Sequence, residues 1–123
     1  NPTYEYGVTF ERGTVMEYGD RAQVFISGTA SINNKGEVVH VGNIVKQTER
    51  MWENVGVLLE EGGASFDDVM QICDYPTVNE MFARRFPDTP KVITLAPVCR
   101  PTWLIEMECI AVKKRCNEKY RDF

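Results

Sequence analysis

The residues best suited to chemistry lie near the C-terminus, in the run Trp103-Leu-Ile-Glu-Met-Glu-Cys-Ile-Ala-Val112. This run reads as a β-strand, and strand side chains alternate between two faces. Glu106 and Glu108 therefore share one side with Leu104, Ile110 and Val112. A carboxylate set among apolar residues needs a partner, a ligand or a raised pKa. Such a group can hold a water molecule or deliver a proton. Glu106 is the first candidate for that role, with a salt bridge across a subunit interface as its structural alternative. Glu108, one pleat further on, reads as a structural ion pair. Arg100, in the turn before Pro101, and Arg12 are the candidate anion-holding groups.

Other chemistries are poorly supplied. The four cysteines, Cys73, Cys99, Cys109 and Cys116, form no C-x-x-C pair, and His40 is the only histidine. A zinc site is therefore not expected. Cys99 lacks a paired histidine and makes a poor nucleophile. Cys73 and Cys109 fall inside predicted strands and read as buried thiols. Gly62-Gly63 is not followed by Lys-Ser/Thr, so it reads as a helix cap rather than a phosphate loop. No cofactor is implied. His40 and the pair Arg84-Arg85 read as surface residues.

The chain has 123 residues, 43% hydrophobic and 26% charged, which suits one globular domain. The formal net charge of −4 argues against duplex nucleic acid or an anionic membrane as partner. The cluster Lys113-Lys114-Arg115, followed by Lys119 and Arg121, reads as a solvated basic tail. Neither a signal peptide nor a membrane span is visible, which makes a cytoplasmic location the default expectation. The first residue is Asn1 rather than Met, which fits a processed form or one piece of a longer tandem protein.

The elements that must position these residues follow from pattern. A strand interrupted near Gly13 is predicted within 6–18, with a turn at Gly19-Asp20. Gln23–Ser27 is a second strand ended by Gly28, and 33–36 is a tight turn. Helical spacing of Ile44, Thr48, Met51, Trp52, Val55, Leu58 and Leu59 predicts a helix over 43–61. Asn43 caps its start, and Gly62-Gly63 ends it with a left-handed residue. A strand follows from Val69. Thr77-Val-Asn-Glu80 is a capping box opening a short helix that Pro87 and Pro90 stop. Lys91–Ala96 and the Glu-bearing run are the last two strands. The order β-β-α-β-α-β-β predicts an α+β domain with two helices on one face of a mixed sheet. In so short a chain the other face would be covered by another subunit, with sites in the clefts between subunits.

Taken together, several of these pieces resemble the RidA superfamily, also called YjgF or endoribonuclease L-PSP-like. They are Val24-Phe-Ile-Ser-Gly28, the helix with Gln47-Thr48 and Glu53-Asn54, Gly62-Gly63-Ala64 before Asp68-Val69, Val78-Asn79-Glu80-Met-Phe82, and Ile105–Val112. The resemblance implies a chorismate-mutase-like fold, a homotrimer and hydrolysis of imine or enamine metabolites that carry a carboxylate. It places the water-holding Glu on Glu106 and a ligand-approaching backbone at Ser27-Gly28. The Arg that grips the substrate carboxylate in deaminating members falls on Lys91. An ammonium supplies charge but not the two-pronged contact of a guanidinium. That substitution favours, as an alternative, a binding module without turnover. Phe10-Glu-Arg-Gly-Thr14 and Cys99-Arg-Pro101 resemble the C-terminal half of chorismatases, which hydrolyse an enol ether. There, Arg12 and Arg100 would anchor carboxylates and a last-strand Glu would be the acid. Ribonuclease or translation-inhibitor roles, also attributed to the superfamily, fit an acidic chain with no aromatic-basic surface poorly.

Overall fold

The computed structural model describes residues 11–74, 78–93 and 100–121. Its elements are β1 (Gly13–Glu17), β2 (Arg21–Ala30), α1 (Ile44–Glu61), β3 (Val69–Asp74), α2 (Asn79–Arg85), β4 (Lys91–Ile93) and β5 (Glu106–Lys114). A 3₁₀ turn, Phe66–Asp68, precedes β3. The predicted element order is the one found. The strands form one sheet in the order β1-β2-β5-β3-β4. All neighbours are antiparallel except β3 and β4. That pair is parallel because α2 supplies the crossover a parallel connection needs.

Alternation along the central strands sorts the sheet into two faces. Val24 and Ile26 on β2, with Met107, Cys109 and Ala111 on β5, are buried in a single core. Both helices pack on this face, as expected for an α+β domain of this kind. From α1 come Met51, Val55 and Leu59, one helical stripe facing the sheet. From α2 comes Phe82, followed by Phe86; Trp52 of α1 meets their rings edge-on at 5.0 and 5.6 Å. Arg84 and Arg85 are exposed, and Arg85 lies over the Trp52 ring at 5.4 Å, a surface cation–π contact. The other face of the sheet carries Phe25, Ile110, Val112 and the two glutamates, none of them fully buried.

The ends of α1 explain its length. Asn43 Oδ1 accepts the Lys46 amide at 3.0 Å, as an N-cap should. Asn43→Ala is expected to lower stability by about 1 kcal/mol, read from urea unfolding. At the other end the two glycines divide the work. Gly62 is right-handed, and a Cβ on it would press on Val24 of the core. Gly63 takes the left-handed conformation, φ 72°. The amides of Gly63 and Ala64 then reach the Glu60 and Leu59 carbonyls at 2.9 and 2.8 Å, a Schellman closure.

Three expectations are corrected. β2 does not stop at Gly28 but runs through it to Ala30, because the ladder resumes one residue later. The last strand is Glu106–Lys114 rather than 103–112: the backbone at 102–104 bonds to a helix side chain instead of a strand, and Lys113 and Lys114 pair with Ala22 and Arg21. The start of the basic tail is docked, not merely solvated. Arg115 bonds Glu17 at 2.8 Å and Lys113 lies 3.5 Å from Asp68. Strand residues 6–10 and 94–96, the capping residue Thr77, Cys99 and the side chain of Cys73 lie outside the described residues. Ser65 and Asp68 form a capping box ahead of β3.

Candidate functional site

The site begins with an irregularity between β2 and β5. Ile26 pairs with Cys109 and Thr29 with Met107, so Ser27 and Gly28 together oppose Glu108 alone. This is a β-bulge, and a bulge bends the strand and re-aims neighbouring side chains. It is pinned in place. The Ser27 amide donates to the Arg12 carbonyl at 3.0 Å, and its hydroxyl lies 3.0 and 3.1 Å from the Glu11 and Arg12 carbonyls. The Thr29 hydroxyl donates to the Ser27 carbonyl at 2.8 Å. The sequence hint was a glycine inside a strand pattern.

Past the bulge, Glu106 pairs with Ala30. Its side chain lies back over Gly28, filling the space where a Cβ would stand: the carboxyl carbon is 2.9 Å from that point, and Oε1 would overlap it. Only glycine leaves room for this carboxylate. Partial burial pushes the Glu106 carboxyl above its ordinary value, and repulsion from Glu108 adds to that. Arg12 acts in the opposite sense. Behind the same strand, burial pushes the Cys109 thiol up to about 12, which leaves it an inert core residue. Beside the bulge, a cavity of about 300 Å³ opens on the sheet face opposite the helices, lined by Glu11, Thr14, Phe25, Ser27, Glu108 and Ile110.

The nominated residues are thus only partly convergent. Glu106, Gly28, Ser27 and Arg12 meet around the bulge, with exposed Glu108 opposite. Lys91 begins β4, with β3 between it and β5, and its Nζ lies 3.4 Å from the Phe86 carbonyl. Arg100 donates to the Gly36 carbonyl at 3.0 Å and lies 5.2 Å over the Trp103 ring. Within one chain, both are engaged in local structure, and Arg12 is the guanidinium that acts on Glu106. Two amides within the family-like pieces Gln47-Thr48 and Glu53-Asn54 had no role assigned from sequence. Asn54 Nδ2 holds the Ala30 and Ile32 carbonyls at 3.0 and 3.1 Å, and Gln47 ties the 102–104 backbone to α1. Asparagine and glutamine on a helix carry no pattern signal that separates them from surface polar residues. Among the described residues, no cluster of His, Cys, Asp and Glu could hold a metal ion. Nor is any helix there long and apolar enough to cross a membrane.

Two helices on one side of a five-stranded sheet, with a bulged second strand under a last-strand glutamate, define a small α+β protein with a carboxylate at its open face. The endoribonuclease L-PSP family matches residues 15–113, so the chain belongs to that family, the RidA/YjgF superfamily. A RutC family protein of Pyrococcus abyssi is 35% identical over 101 residues, covering 74% of this chain and 79% of that one. The 3-aminoacrylate deaminase RutC of Acinetobacter baylyi is 29% identical over 97 residues, covering 72% and 77%. A Thermotoga maritima structure provisionally described as an endoribonuclease superposes with a TM-score of 0.71 at 32% identity, covering 86% of this chain and 87% of its own.

Proposed function

We propose that this protein hydrolyses a small imine or enamine metabolite bearing a carboxylate, in clefts formed where further copies cover the open sheet face as a homotrimer. The observation that carries this reading is Glu106, a half-buried carboxylate held over a glycine of the bulge. Family membership and the deaminase among the relatives support the reaction class. In its ionised form Glu106 orients a water molecule toward the C=N carbon and takes its proton as the carbon–oxygen bond forms. That proton passes to nitrogen, giving a carbinolamine; its hydroxyl proton then passes through Glu106 to nitrogen as the carbonyl double bond forms and the carbon–nitrogen bond breaks, so ammonia leaves and the 2-imino acid becomes a 2-oxo acid. Arg12 supplies positive charge for the substrate carboxylate.

The test is turnover of a 2-imino acid generated in situ, followed as loss of imine against a control without protein. Saturable acceleration is expected. Binding of the carboxylate without acceleration would replace the reading with that of a non-catalytic module. Pyruvate release from an enolpyruvyl ether instead would move it to chorismatase-like chemistry.

A further inference from the structure

Gln47 sits on α1 with no solvent exposure, and among the described residues its amide bonds only to backbone. Nε2 donates to the His40 carbonyl at 3.2 Å and the Thr102 carbonyl at 3.0 Å, and Oε1 accepts the Leu104 amide at 3.0 Å. The amide has one workable orientation, since reversing it would set NH₂ against an amide and oxygen against two carbonyls. It therefore locks three backbone groups from two loops. One loop runs through 33–43 and contains His40 in the left-handed conformation, φ 57°, a position that a non-glycine residue holds only when its surroundings enforce it. The other is the turn that delivers the chain into β5. Arg100 adds a second tie between them, to Gly36.

Leu104 is two residues before Glu106, and Ile105 between them is buried at 1% exposure. Among the described residues no strand partner holds 102–104, and Gln47 bonds the backbone on both sides of Trp103 just before β5 begins. We infer that Gln47 is a positioning residue: by clamping the 102–104 turn to α1, it sets the height at which the Glu106 carboxylate lies over Gly28. The consequence for catalysis rests on the function proposed above; the consequence for the carboxylate does not. Because Glu106 owes its environment to close approach to the bulge, a small slip of the turn would move it toward water.

The test uses Gln47→Met, close in size but unable to make any of the three bonds, with Gln47→Asn as a second variant should the first not fold. Arg115→Ala, which loosens the far ends of α1 and β5 through Gly62 and Glu17, is the control for general destabilisation. Two quantities are read on folded protein: the Glu106 titration by carboxyl ¹³C NMR, and kcat and KM for imine hydrolysis. Positioning predicts that the titration falls toward the ordinary glutamate range. It also predicts that kcat drops between about tenfold and a hundredfold with KM little changed, as for a displaced catalytic group. Arg115→Ala should change neither. An unmoved titration in the folded Gln47 variant, or an equal shift in Arg115→Ala, would overturn the inference. If the wild-type protein turns over no imine, the proposed function fails on its own account, and the titration alone decides the role of Gln47.

Discussion

Glu106→Gln is expected to abolish most imine hydrolysis, lowering kcat by about 10²–10⁴-fold, while leaving the folded protein as stable as before or more so at neutral pH. The amide keeps the shape of the side chain over Gly28 but can neither accept a proton nor carry charge. The stability half follows from linkage. The folded state raises the Glu106 pKa through burial and Glu108, so folding favours the protonated form. That contribution is complete below the unfolded pKa and is lost as pH rises through the higher folded value. At neutral pH the native protein therefore holds an ionised carboxylate in a poor place, which glutamine relieves. Thermal melts of the two proteins should diverge in favour of the variant as pH rises through the folded pKa, and converge in acid. The activity profile has the opposite sense: wild-type kcat should rise with pH through the same group, since ionised Glu106 is the base. A variant with wild-type kcat would remove Glu106 from the chemistry. A variant equally destabilised at every pH would show that the side chain is only packing.

Gly28→Ala should give the second large effect, a loss of activity of up to about a hundredfold, with the fold retained. Gly28 is not in a left-handed conformation, so alanine meets no backbone penalty there. What it meets is the Glu106 carboxylate, with Cδ at 2.9 Å and Cγ at 3.4 Å from the new Cβ. These atoms end a flexible side chain that can swing away without moving the sheet. The displaced carboxylate becomes more exposed, so its titration should fall toward the ordinary range, measurable by the same carboxyl NMR. A crystal structure of the variant showing Glu106 unmoved, together with unchanged kcat, would count against the geometry of the site. Gly28→Ala and Glu106→Gln should also be non-additive, because both act on one carboxylate.

Much of the architecture is legible before any coordinates are considered, because local rules carry it. The stripe Met51, Val55, Leu59, the cap at Asn43 and the glycine pair after the helix place α1 within a residue of where it lies. The same holds for the alternation that sends Met107, Cys109 and Ala111 inward and leaves Glu106, Glu108 and Ile110 on the other face. These signals are short-range: a period of two or 3.6 residues, or a preference at one position. The glutamate itself was found this way, since an acid in an apolar strand is anomalous on the sequence alone.

What only the tertiary structure decided depends on which distant residues become neighbours. Gly28 read as a terminator is in fact half of a bulge, a distinction that exists only once β5 lies beside β2. Arg12 and Arg100 carry the same guanidinium and looked equivalent, yet one acts on Glu106 and the other ties Gly36 to the turn before Trp103. Gln47 carried no chemical signal until Thr102 and Leu104, more than fifty residues away, closed around it. Composition and periodicity determined that this chain would be a two-helix α+β protein with two acids on one face of its last strand. Long-range pairing determined which glycine that acid covers and which cation it faces, because a register shift of a single residue reassigns every neighbour along a strand.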